Sequence, residues 1–162
     1  MIFFLLSSAD TLMKAKAYIV GFKEKIVGEV WFYQLSDMRV VLKGRVEGLG
    51  KEKTYAIHIH EFGDCSSPSA SGGHFDPYFS GKHGNPSDPI GTHHSGDLPN
   101  ITTDKNGVAE FTYETKAFTL IPSPYSILGR SVIIHMQHDD YMSQPAGNAG
   151  DRIACGIIGV VK

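Results

Sequence analysis

The chain has 162 residues, enough for one domain with a sizeable core, and its 41% apolar content is ordinary for a soluble globular protein. Its formal charge of −2 argues against a general nucleic-acid binder, and no apolar run approaches the length needed to span a membrane. The 18 glycines and 8 prolines favour many turns and loops.

In chain order, Ile2–Leu6 is a short apolar run and Ser7-Ser8-Ala9 could end a cleavage site. A secretory leader has a basic start and a longer apolar region, and both are missing here. Residues 1–12 are therefore read as a truncated leader or an extension before Met13, with an apolar tail packed on the domain as the alternative. The domain is expected over residues 13–162.

Short strand-like runs follow. Ala15–Gly21 is the first, and Val27–Leu35 is rich in aromatic and β-branched residues. Met38–Leu49 alternates Val40, Leu42 and Val46 with Arg39, Lys43, Arg45 and Glu47, so one face is expected buried and one wet. After the polar turn Lys51-Glu52-Lys53, Tyr55–His60 is the fourth strand. Glu61–Asn100 has no lasting periodicity, and a structureless loop of that length inside a compact domain is often functional. Strand character returns at Val108–Tyr113, Phe118–Leu120, Ser131–His135 and Ile153–Val161, with a second loop at Met136–Arg152. About eight short strands and no convincing helix predict an all-β protein, an eight-stranded Greek-key β-barrel or immunoglobulin-like sandwich with two long functional loops.

The chain is organised around Tyr55–Cys65, Y-A-I-H-I-H-E-F-G-D-C. Alternate side chains of a strand share a face, so His58 and His60 point one way while Ile57 and Ile59 point into a core. At a Cα separation of roughly 6.5–7 Å, both rings can converge on one metal. A single histidine is ordinarily a surface or core residue, but eight are present and most lie in or beside the two loops. His74 lies in G-G-H-F-D-P, His83 in K-H-G-N-P and His94 in H-S-G-D, among glycines that permit sharp turns. His135 ends the apolar strand V-I-I-H and could reach His58 and His60 in a sandwich. Imidazoles suit copper or zinc, and Asp97, three residues after His94, adds a carboxylate that suits zinc. The inventory thus supports an all-histidine site and a mixed histidine–aspartate site. Cys65 and Cys155 could be buried free thiols, or a disulfide closing a loop on the order of 90 residues.

The segments H-I-H-E-F-G-D-C (58–65), G-G-H-F-D-P (72–77), K-H-G-N-P (82–86), H-S-G-D-L-P-N (94–100), I-I-H (133–135), D-D-Y (139–141) and A-G-N-A-G-D-R-I-A-C-G (146–156) together resemble the copper,zinc superoxide dismutases. The G-D-C, the G-D-L-P-N and the short loop before Arg152 look more like the bacterial branch than the animal one. The resemblance implies copper on His58, His60, His74 and His135, and zinc on His74, His83, His94 and Asp97. It implies that His74 bridges the metals, that Asp139 links His58 and His83, and that Arg152 stands beside the open copper position. It also implies a Cys65–Cys155 disulfide. His74 and Arg152 would be catalytic, in a two-step cycle that turns superoxide into oxygen and hydrogen peroxide and so protects against oxidative damage. His93 and His138 have no ligand role in the pattern and are expected to be solvent-exposed. The animal charged run is missing from the second loop, and Ala146 stands where animal members carry threonine.

A non-enzymatic copper or zinc binding protein on the same fold is the alternative. It predicts a lost copper ligand or a lost Arg152, and all of these residues are present. A zinc hydrolase needs an open zinc position, which the four implied ligands would close. The expected partner is the superoxide anion, with no nucleic acid and no membrane, and a homodimer is allowed. A periplasmic or secreted location is expected, with the cytoplasm as the alternative.

Overall fold

The computed structural model describes residues 9–162, and most of the expected leader or extension over 1–12 lies outside them. Strands are β1 (Thr11–Gly21), β2 (Val27–Leu35), β3 (Val40–Glu47), β4 (Thr54–Tyr55), β5 (Ile57–His60), β6 (Ile101–Thr102), β7 (Ala109–Thr115), β8 (Ser131–His135) and β9 (Arg152–Val161). No helix forms among the described residues.

Seven strands make one antiparallel sheet in the order β5-β8-β9-β1-β2-β3-β7, and β4 pairs with β6. A bridge from Thr103 to Ala109 ties the small sheet to β7, and β4 runs on into β5 after Ala56, so the sheet curls toward closure. The non-sequential neighbours are those of a Greek key, as expected. Ala15, Ala17 and Ile19 of β1, Val30 and Phe32 of β2, and Val40, Leu42 and Val46 of β3 line the core. The intervening Lys14, Lys16, Lys43 and Arg45 face outward, which is the period-two pattern of a half-buried sheet.

Two expectations are corrected. The first strand begins at Thr11, because Thr11–Lys14 pair with Leu35–Tyr33 across the β1–β2 ladder. Phe118–Leu120 is a loop, held by Gln34, whose buried Oε1 accepts from Thr119 Oγ1 at 2.7 Å and from the Leu120 amide at 2.8 Å. Its place in the strand count is taken by β6, too short for a periodic signal.

β5 and β8 break the alternating pattern, since every residue in both is buried. Their inner faces, Ile57, Ile59, Val132 and Ile134, join the core. Their outer faces carry His58, His60 and His135 and are roofed by the loops 61–100 and 136–151. Cys65 and Cys155 form a disulfide across 90 residues, pinning the start of the first loop to β9. Cutting it in metal-free protein, by reduction or in a Cys65→Ser/Cys155→Ser variant, is expected to cost about 2–5 kcal/mol of stability. Urea unfolding of the oxidised and reduced forms measures this directly; coincident curves would mean the bond contributes nothing.

Candidate metal centre

β5 is the end strand of the large sheet, so one row of its backbone groups is free to pair. The first loop occupies that row. The Ile59 amide donates to Gly96 O and the Phe75 amide to Ile59 O, both at 2.9 Å. The Glu61 amide donates to Gly73 O, also at 2.9 Å. These bonds set Asp97 opposite His58 and His74 opposite His60 as isolated bridges. A Cβ on Gly96 would lie 2.1 Å from Ile59 O, so only glycine permits the approach that delivers Asp97.

The rings meet as two groups that share His74. In the first, His58, His60, His74 and His135 place one ligand atom each within 4.8 Å of all the others. His60 Nδ1 lies 2.9 Å from Gly72 O and His135 Nδ1 lies 3.2 Å from Gly150 O. Carbonyls accept only, so each Nδ1 carries the proton and each Nε2 keeps its lone pair. Those two Nε2 atoms face each other at 3.2 Å. Lone pairs so placed repel unless a cation lies between them, and two metal–nitrogen bonds of about 2.0–2.1 Å near the tetrahedral angle span about 3.3 Å. His58 Nδ1 and His74 Nε2 are buried without any hydrogen-bond partner. The donor set fits a metal that takes neutral imidazoles.

In the second group, Asp97 Oδ1 gathers His74 Nδ1 at 2.8 Å, His83 Nδ1 at 2.9 Å and His94 Nδ1 at 3.5 Å. The separation to His94 matches the edge of a tetrahedron of bonds about 2.0–2.2 Å long, whereas the two shorter ones are hydrogen-bond distances. The ligand atoms of His58, His74, His83 and Asp97 also lie within 4.8 Å of one another, although His58 was expected only in the first group. His58 Nε2 is taken by Asp139 Oδ2 at 2.7 Å, which leaves it a single free nitrogen.

Asp139 reaches both groups: its Oδ1 lies 2.8 Å from His83 Nε2, while Oδ2 lies 2.7 Å from His58 Nε2. The fit around this carboxylate is close. A Cβ on Gly147 would lie 1.9 Å from Asp139 Oδ1 and 2.7 Å from His83 Nε2, and Gly147 has a φ of +68°.

Burial sets the charges. It holds the His58 and His60 imidazoles well below the ordinary histidine range, and the neighbouring ring of His74 adds to the shift. Burial, with the charges of His74 and Arg152, brings His135 down to about 4. His83 goes the other way: burial opposes its charge, but hydrogen bonds to Asp139 and Asp97 raise it to about 9. Asp97 is also penalised by burial, yet its hydrogen bonds to His74 and His83, with the ring of His94 close by, hold it well below the carboxylate range.

Arg152 is paired with His135 across the β8–β9 ladder, so the two side chains neighbour one another. Its Nη1 donates to Pro68 O at 3.0 Å and to Ser71 Oγ at 3.1 Å. It borders an open cleft with Lys23, Pro68 and Met136. His138 is exposed as expected, but His93 is not: it is 2% exposed and packs inside the first loop.

Several supporting residues were not assigned a role from sequence. Asn100 accepts from the Asp139 amide at 2.8 Å and donates to Asp139 O at 2.9 Å. Gln144 accepts from the His83 amide and donates to His83 O, both at 2.8 Å. Asn100 lies within a recognised motif, whereas nothing in the local pattern marks Gln144.

Comparison with known proteins agrees with this geometry. The family model for Copper/zinc superoxide dismutase (SODC) matches residues 26–158. A relative named Superoxide dismutase [Cu-Zn] 2, from Aquifex aeolicus, is 38% identical over 154 residues, covering 90% of this chain and 86% of the relative. Superoxide dismutase [Cu-Zn] of Candida albicans is 39% identical over 159 residues, covering 93% and 100%. That of Saccharomyces cerevisiae is 39% identical over 145 residues, covering 85% and 92%. The Aquifex relative is in line with the bacterial character of the motifs, although the two yeast proteins match at the same level. A solved structure described as the clock protein EA4 superposes with a TM-score of 0.83 at 35% identity, covering 94% of this chain and 97% of that one. With its motifs, its barrel and its paired metal-ligand groups, the chain belongs to the copper/zinc superoxide dismutase family.

Proposed function

We propose that this protein dismutates superoxide with a copper ion held by His58, His60, His74 and His135, beside a zinc ion held by His74, His83, His94 and Asp97. The observation that carries the reading is the pair of deprotonated Nε2 atoms of His60 and His135, 3.2 Å apart, with each Nδ1 committed to a carbonyl. His94 is preferred to His58 for zinc because the one free nitrogen of His58 can serve only one metal.

Copper, when bound, supplies the one-electron couple by which one superoxide is oxidised to oxygen and a second, with two protons, becomes hydrogen peroxide. His74 takes one of those protons at Nε2, the atom without a partner, and passes it to the product, while its Nδ1 stays in the Asp97 group. Asp139 holds His58 and His83 in their ring orientations by accepting from both. Arg152 presents a cation beside His135 and draws the anionic substrate to it, its guanidinium held still by Pro68 O and Ser71 Oγ. Zinc has no redox role and would order the first loop.

The purified protein is expected to carry copper and zinc in equal amounts and to consume superoxide rapidly. Both metals bound without activity would favour the alternative of a metal-binding protein. His135→Ala is expected to reduce dismutation to background while zinc stays bound, and full activity in that variant would remove the copper assignment. Arg152→Ala is expected to slow the enzyme by about 10-fold or more and flatten its dependence on ionic strength. An unchanged salt profile would count against Arg152 as the guide. Gly147→Ala, which drives a Cβ into Asp139, is expected to weaken metal binding by about 10–100-fold. Dialysis against graded chelator reads that loss.

The disulfide favours a periplasmic or secreted location. Exposed Phe62 and Ile157 offer apolar surface for a homodimer, which sedimentation at micromolar concentration would detect.

A further inference from the structure

We propose that His93 is a positioning residue of the zinc site: it braces His94 and Asp97 and packs on the segment that carries His83, and so preorganises the site for the ion. The proposal rests on the zinc assignment above. His93 is not itself one of the assigned ligands, yet it is almost fully enclosed.

Its ring reaches two of the ligands directly, and its Cβ packs on the segment that carries the third. Nδ1 lies 2.8 Å from the carbonyl oxygen of His94. The same nitrogen is 3.5 Å from Asp97 Oδ2, the carboxylate oxygen turned away from the imidazole cluster. That oxygen is also held by the amide of Gly84 at 3.1 Å, and Gly84 directly follows His83. A Cβ on Gly84 would come 3.0 Å from the Cβ of His93, so this residue packs directly on the His83 segment. On its far side, His93 Nε2 lies 3.2 Å from Asp88 O, in the turn closed by the bond from the Asp88 amide to Asn85 O at 2.9 Å.

The physical need is plain. Residues 75–95 contain no named strand, so their own backbone cannot set ligand positions to a few tenths of an ångström. His83 and His94 are brought together by one backbone bond, from the His94 amide to Lys82 O at 2.9 Å. A buried ring that donates from Nδ1 to the carbonyl of one ligand and packs against the turn at Asp88 adds a further constraint, and it does so before any ion arrives. Outer partners of this kind commonly set metal affinity by about 10–100-fold.

The test compares His93→Leu, which fills the space without hydrogen bonds, with His93→Asn, whose amide nitrogen can stand where Nδ1 donates to His94 O. Each is made in the full chain, loaded with copper, and titrated with zinc and with cobalt(II) as a spectroscopic probe. Wild type is expected to show a four-coordinate cobalt spectrum that His94→Ala abolishes; if it does not, the zinc assignment itself fails and takes this proposal with it. Given that spectrum, His93→Leu is expected to lose zinc about 10-fold or more faster to chelator and to shift the cobalt bands, with copper retained. His93→Asn is expected to recover most of the difference. Zinc release and cobalt bands unchanged in His93→Leu would overturn the role of His93 while leaving the zinc site standing. Leu and Asn variants equally impaired would overturn the claim that its hydrogen bonds matter.

Discussion

Two ring nitrogens that face each other with no proton between them set the terms for this structure. His60 and His135 are held in that arrangement from behind, each by a backbone carbonyl on its other nitrogen. His58 Nδ1, His74 Nε2 and His94 Nδ1 add further buried atoms without partners. Each such atom costs about 1–3 kcal/mol when left unsatisfied. The fold therefore holds an arrangement that is unfavourable in the metal-free chain, and binding an ion removes the penalty. A site built this way is ready before its metal arrives, because carbonyls and packing orient the rings rather than the ion alone.

The scaffold that sustains the site is ordinary, and that is why it can. The apolar inner faces of β1, β2, β3 and β9 form most of the core, and the first loop adds Phe75 and Leu98 to it. The cost falls on the one edge where β5 and β8 turn histidines outward. There the first loop completes the open edge of β5 with backbone hydrogen bonds, so ligands from distant parts of the chain arrive with strand-like precision. The disulfide fastens the start of the same loop to β9, next to the arginine that β9 presents.

The two loops also depend on each other. Asp139, from the second, holds one ring in each metal group, and Gln144 grips the backbone of His83 from the same loop. Asn100, at the end of the first loop, grips the backbone of Asp139 in return. Disturbing either loop therefore reaches both metal groups, which is why a single methyl group at Gly147 is placed to affect copper as well as zinc.

Sequence alone determined the strand periodicity, the all-β class and the residues able to bind metal, because these follow from local alternation and from side-chain chemistry. Val27–Leu35 and Ser131–His135 were legible to the residue, since both are bounded by a turn or a loop and rich in residues that favour strands. The exposed location expected for His93 failed because nothing in H-H-S-G-D says which of two adjacent rings turns inward. Gln144 and β6 went unread for a related reason: a side chain that bonds to a backbone 61 residues away, or a two-residue strand, leaves no periodic trace. Only the tertiary structure decided that His74 stands in both metal groups, that one oxygen of Asp97 gathers three imidazoles, and that Asp139 spans the pair. Those are distances between residues far apart in the chain, and they are set by how the sheet curls and how its open edge is filled.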